Sequence, residues 1–426
     1  MSSMQDTGTG RRQLVAGAAG NTLEWYDFAV YAYLVPVIAD QFFPSKDPIA
    51  NLLSAFGVFA VGYLMRPIGG WLLGHVADLA GRRIAMIYSI LLMAVTTVLI
   101  GLLPNYDSIG FWAPLALIVL RLGQGLAVGG ELPSSAVFLY ENVPPRNRAF
   151  GTGLVIAGAV FGMLLGSASI AVVSWFVTAQ EMALWGWRIP FLMGVLLAVV
   201  CLFLRAGLEE KGGQGKNRHA GHERPVPIKA VFLHHKKGLL IVLACNCLIS
   251  VTFYMVAVFI NTYLVHFVGQ STEAASTINT VSLGIFIVLV LVFARVADAI
   301  GRKRVLLFGA GAQLLLAIPI FLLLSQPVFW GQLAGQVGLA AIAASQLASS
   351  IPVLISQFPK SDRVTGFSLG YTIPAGVFGG TVPLLMTYFM SLTGWQAFPA
   401  LYLMLLAVIV LPIMFVMPDK SFEKGI

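Results

Sequence analysis

Two acidic residues stand one helical turn apart inside a long apolar segment, in the stretch 20–31 (GNTLEWYDFAVY). Glu24 and Asp27 are three residues apart and therefore share one helix face, which Asn21 and Tyr31 extend. A charge at bilayer depth costs at least ~2.5–3.5 kcal/mol, so two in one helix require partners or a function. The pattern favours a proton site or an ion-pair partner facing a wet cavity. The alternative is that both carboxylates lie among lipid headgroups at the start of the helix.

The composition indicates the class of protein that positions these carboxylates. The chain has 426 residues, of which 58% are hydrophobic and 10% charged, whereas soluble domains carry about 25% charged residues. This predicts an all-α polytopic membrane protein embedded in a lipid bilayer. The formal charge of +8 follows from basic loops on one side, so we expect no nucleic-acid partner. The three cysteines lie in apolar segments without metal-ligand or disulfide spacing, so we expect no metal site formed by them.

Twelve apolar segments are long enough to span the bilayer, and a polar stretch divides them into two sets of six. The predicted spans lie near 15–42, 50–77, 84–103, 112–139, 150–178, 187–205, 238–268, 275–297, 305–324, 328–356, 364–392 and 395–417. We therefore predict an N-terminal six-helix bundle (1–207), a cytoplasmic linker (208–237) and a C-terminal six-helix bundle (238–426). The linker contains four histidines, but its composition favours a solvated flexible segment over a metal site.

The basic residues predict the orientation of the chain. Almost all Lys and Arg residues fall at one set of loops; the exceptions are Lys46, Arg66, Arg121 and Arg188. By the positive-inside rule, both termini and the linker are predicted to be cytoplasmic, in a bacterial inner membrane. The first residues lack the apolar core of a cleaved signal peptide.

Two loops repeat one pattern about half the chain apart, in GHVADLAGRR (74–83) and ARVADAIGRKR (294–304). In each, an Asp is followed three residues later by Gly and then by a basic pair, which predicts a parallel internal repeat about an axis along the membrane normal. We interpret these loops as gates rather than substrate contacts. The predicted gating residues are Asp78, Gly81, Arg82, Arg83, Asp298, Gly301 and Arg302.

The doubled D-x-x-G-R-[RK] loop in a 6+6 chain resembles the major facilitator superfamily and, more narrowly, its metabolite:proton symporter family. The supporting motifs are GN-x-x-EWYDF (20–28), RPIGG (66–70), RLGQG-x-x-x-GGE (121–131), GWRIPF (186–191) and R-x-TGFS (363–368). The resemblance implies a pseudo-twofold fold of twelve transmembrane helices and transport by alternating access. Substrates known in that family include citrate, 2-oxoglutarate, dicarboxylates, shikimate, proline and glycine betaine.

Charged residues predicted deep in the membrane all belong to the first half. They are Glu24, Asp27, Arg66, Arg121 and Glu131. Three carboxylates against two guanidinium groups leave one carboxyl group for a proton. The carboxylate least engaged by Arg is the predicted proton carrier, since a nearby Arg favours its charged form. This interpretation favours Asp27 or Glu24 over Glu131. The alternative is a structural charge network that locks the first, second and fourth segments together.

Polar stripes predict the substrate-binding residues. The candidates are Arg66, Arg121, Gln124, Tyr31, Asn246, Tyr254 and Gln346. Arg recognises a carboxylate in bidentate fashion, and neighbouring aromatic residues offer a cation–π cradle for a quaternary ammonium group. For any single Asn or Gln, a packing bond between helices is the equally open alternative.

These patterns predict a proton-coupled symporter that imports a small carboxylate-bearing metabolite. The substrate would be a zwitterionic osmolyte such as proline or betaine, or a mono- or dicarboxylate. We expect a monomer that uses protons as the coupling ion and no other cofactor. The alternatives are an exporter, a non-coupled facilitator and, in another class, a transport-dead sensor. An enzyme is not predicted, since the chain has no H-E-x-x-H, G-x-S-x-G or P-loop motif.

Overall fold

The computed structural model describes residues 21–80, 82–129, 131–206 and 227–422, and each of the twelve predicted segments contains helix there. In the first half the helices are α1 (21–33 and Val35–Phe42), α2 (Pro48–Leu64 and Arg66–Ala80), α3 (Arg82–Leu102), α4 (Trp112–Ala127 and Glu131–Asn142), α5 (Arg148–Phe176) and α6 (Arg188–Ala206). In the second half they are α7 (Lys236–Phe267), α8 (Thr272–Ile300), α9 (Arg302–Leu324), α10 (Phe329–Ile355), α11 (Arg363–Thr393) and α12 (Phe398–Val416).

The distribution of apolar and charged side chains is that of a membrane protein. Among the described residues, nine helices are long and apolar enough to cross a bilayer, and two shorter apolar helices cover 87–102 and 188–203. Trp175 and Phe176 expose 80% and 82% of their surface, whereas Asp27 and Arg121 are buried. Large apolar groups thus face outward and charges face inward, which confirms the prediction of an all-α polytopic fold.

Prolines interrupt α2 and α4 where the two helices lie side by side. Pro67 has no N–H to donate to the carbonyl four residues earlier, and α2 breaks at Met65. Pro133 acts in the same way on α4, which is interrupted at 128–129, before Glu131 begins its second part. Arg66 begins the second part of α2, and it lines the same cavity as Val128 and Gly129 at the break of α4.

Glycines allow α2 and α4 to approach closely at these bends. A Cβ atom on Gly125 would overlap the carbonyl oxygen of Gly62, and one on Gly70 would lie 2.6 Å from the carbonyl oxygen of Gly129. Only glycine fits where the two backbones meet. These glycines of α2 therefore lie on the surface that packs against α4.

The second half meets α2 through a widened turn. α11 contains a π-helical turn at Ala375–Gly379, directly after Pro374. Gly376 in this turn lies against the backbone of Tyr63, because a Cβ atom there would come within 2.9 Å of the Tyr63 carbonyl oxygen. Turns of this kind occur frequently at functional sites.

The end of the predicted linker is folded. Residues 207–226 lie outside the described residues, but Pro227–His234 forms a helix with Val231 fully buried. Proline is favoured at the first helical position, and the apolar residues after it provide a face to bury. The adjacent His235 contacts Asp362 at 3.2 Å. This part of the predicted flexible linker is instead packed structure, while the domain boundaries themselves stay a prediction.

Candidate functional site

The first element of the site is a buried ion pair between α1 and α2. Nη2 of Arg66 lies 3.5 Å from Oε1 of Glu24, and both side chains are less than a tenth exposed. They line a small cleft that is partly open to solvent. Helices α1, α2, α4 and α11 line this cleft, with Trp25, Leu132, Tyr371 and Thr372 among its walls. The cleft therefore joins charged groups of the first half to polar groups of the second.

Aromatic rings surround the Arg66 guanidinium. Its Cζ atom lies 3.9 Å from the ring centre of Tyr63, 4.3 Å from that of Phe28 and 5.4 Å from that of Trp25. Tyr254 of α7 packs edge-on against Tyr63, with ring centres 5.0 Å apart. Within the described part of the chain, Nε and Nη2 of Arg66 make no hydrogen bond. Arg66 thus keeps donors for a carboxylate beside rings that suit a cation.

Asp27 occupies a separate place, inside the first half. Its carboxyl group is buried, and Oδ2 accepts a hydrogen bond of 2.9 Å from the hydroxyl of Thr97 on α3. Oδ1 has no hydrogen-bond partner among the described residues and faces Gly194 of α6, where a Cβ atom would lie 3.0 Å away. Glu24 and Asp27 share a helix, but they have different neighbours.

A chain of three hydrogen bonds connects Asp27 to Arg121. Nε2 of Gln124 donates to Oγ1 of Thr97 at 2.7 Å, and Nη1 of Arg121 donates to Oε1 of Gln124 at 2.7 Å. Among the described residues no carboxylate oxygen lies within 4.0 Å of Arg121, which is fully buried. The charge count implied an ion pair for each of the two arginines. Among the described residues Arg66 has one with Glu24, whereas Arg121 reaches Asp27 only through Gln124 and Thr97.

Phe28 links the two arginines. Its ring centre lies 4.3 Å from Cζ of Arg66 and 4.9 Å from Cζ of Arg121. Cζ of Arg121 also lies 4.0 Å from the ring centre of Tyr31 and 5.5 Å from that of Phe59. The hydroxyl of Tyr31 donates to the carbonyl of Ala55 at 3.1 Å. One ring therefore separates the cleft from the Asp27 hydrogen-bond chain.

The other predicted binding residues do not line this cleft. Nδ2 of Asn246 donates to the carbonyl of Gly370, and Nε2 of Gln346 donates to Gln313, so both amides join helices of the second half. Tyr254 stands one ring away from the cleft, beside Trp25. Glu131 begins the second part of α4, and its side chain lies outside the description.

Three residues of the site escaped sequence analysis. Nothing in the sequence marks Thr97 or Thr372 as a site residue, since hydroxyl residues are common in transmembrane helices. Tyr371 precedes the bend of α11 by three residues, and that proline-marked bend was the only sequence cue to it.

The second repeated loop joins the halves at the end that carries the basic loops, here called the basic end. Gly301 has φ +113°, which only glycine adopts easily. Asp298 accepts hydrogen bonds of 3.0 and 2.9 Å from the backbone N–H groups of Ala149 and Phe150, at the start of α5. Arg302 pairs with Asp298 at 2.6 Å and donates to the carbonyl of Pro145. This carboxylate therefore caps a helix of the other half.

The first repeated loop is only partly described. Asp78 lies in α2, and Arg82 and Arg83 lie in α3, but their side chains are outside the description. Gly81 falls outside the described residues.

The halves also touch at the end opposite the basic one. The hydroxyl of Tyr33 donates to the carbonyl of Ala257 at 2.8 Å, and the hydroxyls of Ser167 and Thr280 are 2.6 Å apart. At the basic end, Glu141 and Arg363 form a further pair at 2.8 Å. The cleft thus lies between two sets of contacts, an arrangement suited to a site that opens to either side in turn.

The model of the family described as Major Facilitator Superfamily matches residues 18–271 and 242–425. The chain is 35% identical over 410 residues to the "Putative proline/betaine transporter" of Staphylococcus aureus (strain COL), covering 96% of this chain and 88% of that protein. It is 32% identical over 423 residues to the "Shikimate transporter" of Escherichia coli (strain K12), covering 95% and 94%.

A third relative and a solved structure extend the similarity. The "Glycine betaine/proline/ectoine/pipecolic acid transporter OusA" of Dickeya dadantii (strain 3937) is 31% identical over 417 residues, covering 95% of this chain and 82% of that protein. Among solved structures, "Crystal structure of D-xylose-proton symporter" matches with TM-score 0.77 at 17% identity, covering 97% of this chain and 99% of the other. At that identity the structure supports the fold alone.

Proposed function

Because the chain belongs to the major facilitator superfamily, whose members compared above are transporters rather than enzymes, we propose that it couples proton entry to the uptake of a zwitterionic metabolite. The chain is an integral membrane protein and a secondary transporter of small molecules. Protons would be the coupling ion, with no other cofactor, and the transporter would act as a monomer.

The charge pattern of the cleft supports a zwitterionic substrate. Arg66 has N–H donors that make no hydrogen bond among the described residues, Glu24 offers a carboxylate 3.5 Å from it, and aromatic rings stand beside Arg66. A zwitterion matches all three, because its carboxylate would bind Arg66 while its ammonium group would face Glu24 and the rings. A simple anion would meet the negative charge of Glu24. Proline and betaine, printed in the names of two relatives, are zwitterions of this kind.

Asp27 is the proposed proton carrier. Burial disfavours a charged carboxyl group unless a cation pairs with it directly, and Arg121 lies two hydrogen-bonding residues away. Glu24, by contrast, has Arg66 beside it. We therefore assign the proton to Asp27, the substrate carboxylate to Arg66, and to Arg121 a role on the proton side instead of in direct substrate binding.

The proposed membrane orientation places the basic end of the molecule in the cytoplasm. Basic loops lie at the end formed by Arg302, Arg363 and the connecting helix, which supports a cytoplasmic position for that end and for both termini. The membrane would then be the bacterial inner membrane.

Uptake into proteoliposomes tests the proposal. The purified chain would be given labelled glycine betaine, proline, shikimate or citrate, with and without a proton gradient directed inward. We expect the two zwitterions to accumulate only with the gradient. Uptake that ignores the gradient for every accepted substrate would contradict symport, and preference for shikimate or citrate would contradict the zwitterion.

A matched pair of variants locates the binding site. Glu24→Gln removes the carboxylate of the cleft without changing its shape, so uptake of glycine betaine should fall. Glu141→Gln removes a carboxylate at the basic end, outside the cleft, and serves as control. Equal uptake by both variants would remove Glu24 from the substrate site.

A further inference from the structure

The hydrogen-bond chain from Arg121 to Asp27 has only one possible direction. A guanidinium group only donates, so Oε1 of Gln124 must face Arg121 and Nε2 must face Thr97. The Thr97 hydroxyl then accepts from Gln124 and directs its own proton to Oδ2 of Asp27. The cation at one end thus sets the orientation of both neutral groups, and each bond in the chain favours negative charge on Asp27.

This direction decides which oxygen of Asp27 takes the proton. Oδ2 already receives the Thr97 proton, so a proton placed on it would oppose the existing donor. Oδ1 has no partner among the described residues and faces Gly194. Of the neighbouring groups that titrate, Arg121 acts through the chain, and Tyr26 donates its hydroxyl proton to the carbonyl of Pro190 at 2.7 Å. Protonation at Oδ1 therefore leaves the hydrogen bonds of the chain in place and removes the negative charge at its Asp27 end.

We infer that Thr97 and Gln124 are positioning residues that transmit the proton occupancy of Asp27 to Arg121, without touching the substrate. Loss of the negative charge weakens a charge-assisted bond and so loosens the hold on Arg121. That guanidinium stacks on Phe28, whose ring also packs against Arg66 in the cleft. The path from proton to substrate site then runs through Thr97, Gln124, Arg121 and Phe28. This inference rests on the proposed function, with Asp27 as proton carrier.

The second half provides a matched control. There Thr252 donates to Oε1 of Gln313 at 2.8 Å, and Gln346 donates to the same oxygen at 2.7 Å. These residues lie on α7, α9 and α10, which correspond to α1, α3 and α4 by the repeat. All three are neutral and buried. Thr252→Val therefore removes a similar buried hydroxyl without touching a charge.

The experiment compares two modes of transport in proteoliposomes that contain the full chain. Counterflow of labelled against unlabelled glycine betaine needs no net proton movement, whereas accumulation driven by an imposed gradient does. For Thr97→Val we expect counterflow within about twofold of wild type, and accumulation lower by about tenfold, the scale of one lost hydrogen bond to a charged group. Thr97→Ser keeps the hydroxyl and should restore accumulation. Gln124→Leu should behave like Thr97→Val.

The outcomes separate this inference from the function on which it rests. If Thr97→Val lowers both modes equally, as a packing defect would, or lowers neither, the positioning role is wrong. The same holds if Thr252→Val produces the same selective loss of accumulation. If wild-type uptake ignores the gradient, the proposed function fails first, before any variant is compared. Protein folding is checked in each variant by its thermal unfolding in detergent.

Discussion

The two halves of the molecule contain the same three-helix hydrogen-bond motif with different chemistry. In the first half, Thr97 on α3 joins Gln124 on α4 to Asp27 on α1. In the second, Gln313 on α9 joins Gln346 on α10 to Thr252 on α7. The repeat thus places a polar connection between corresponding helices in both halves.

The direction of the bonds differs between the halves. In the second half, both donors converge on one amide oxygen, and Gln313 uses its own N–H to bond the carbonyl of Leu403 on α12. In the first half, the bonds run in series from a cation to a carboxylate. The shared geometry fixes helices together, and under the proposed function the added Arg and Asp would allow the first half to respond to a proton. The chemistry therefore depends on the charged ends and not on the motif.

Among the variants of the two motifs, Asp27→Asn should have the largest effect on transport, because it removes the charged end of the first-half motif. The amide has almost the same shape but takes up no proton, so accumulation driven by a proton gradient should be lost, while counterflow of glycine betaine should persist. Addition of substrate should also no longer cause proton entry into vesicles that contain this variant, as measured with a pH-sensitive dye inside them. Thr252→Val, at the corresponding end of the second-half motif, is the control and should keep both gradient-driven accumulation and counterflow. Gradient-driven accumulation by Asp27→Asn would exclude Asp27 as the carrier.

The glutamines provide the next test. Gln346→Leu removes one of the two donors to Gln313 and leaves Thr252 as the other. It should lower the free energy of unfolding by about 1–3 kcal/mol, with an unchanged ratio of accumulation to counterflow. Gln124→Leu should lower both the free energy of unfolding and the ratio of accumulation to counterflow. Thermal unfolding and paired transport assays distinguish the two effects. A changed ratio in Gln346→Leu would mean that the second half also takes part in coupling.

The charged residues of the site were predicted from the sequence, but not all of their partners were. Glu24 and Arg66 were both predicted to lie deep in the membrane, and in the structure they pair. Thr97 was missed because depth and periodicity do not give the rotation of one helix against its neighbour. The proline-marked bends of α2 and α4 follow from local chemistry.

The inward faces of α7 and α10 illustrate the same difficulty. Their polar stripes predicted Asn246 and Gln346 as substrate contacts, and both side chains do point inward. They point into the second half itself, toward Gly370 and Gln313, and not into the cleft between the halves. Periodicity separates inside from lipid, but a six-helix half has an interior of its own. Substrate binding by these two residues stays a prediction.

Close packing offers a smaller contrast between the halves. Gly125 on α4 faces the backbone carbonyl of Gly62, whereas Gly309 on α9 faces the side chains of Ser345 and Gln346. A methyl group at Gly125 must displace a helix, so Gly125→Ala should destabilise by about 1–3 kcal/mol. Gly309→Ala should cost less, because side chains can rotate. Gly311→Ala, with open space around it, is the control, and thermal unfolding measures all three.

The contacts between the halves at the basic end should give the smallest effect. Glu141 and Arg363 pair at 2.8 Å, but the Glu141 side chain is 32% exposed, so water competes with the bond. Removing the pair by Arg363→Gln should change the free energy of unfolding by at most about 1 kcal/mol. Asp298→Asn serves as the comparison, since the mostly buried Asp298 also caps α5 and pairs with Arg302. It should destabilise more and, by weakening a contact between the halves, raise labelling of a cysteine introduced beside the cleft. Equal labelling in both variants would show that the charge at the Asp298 loop does not hold the basic end closed.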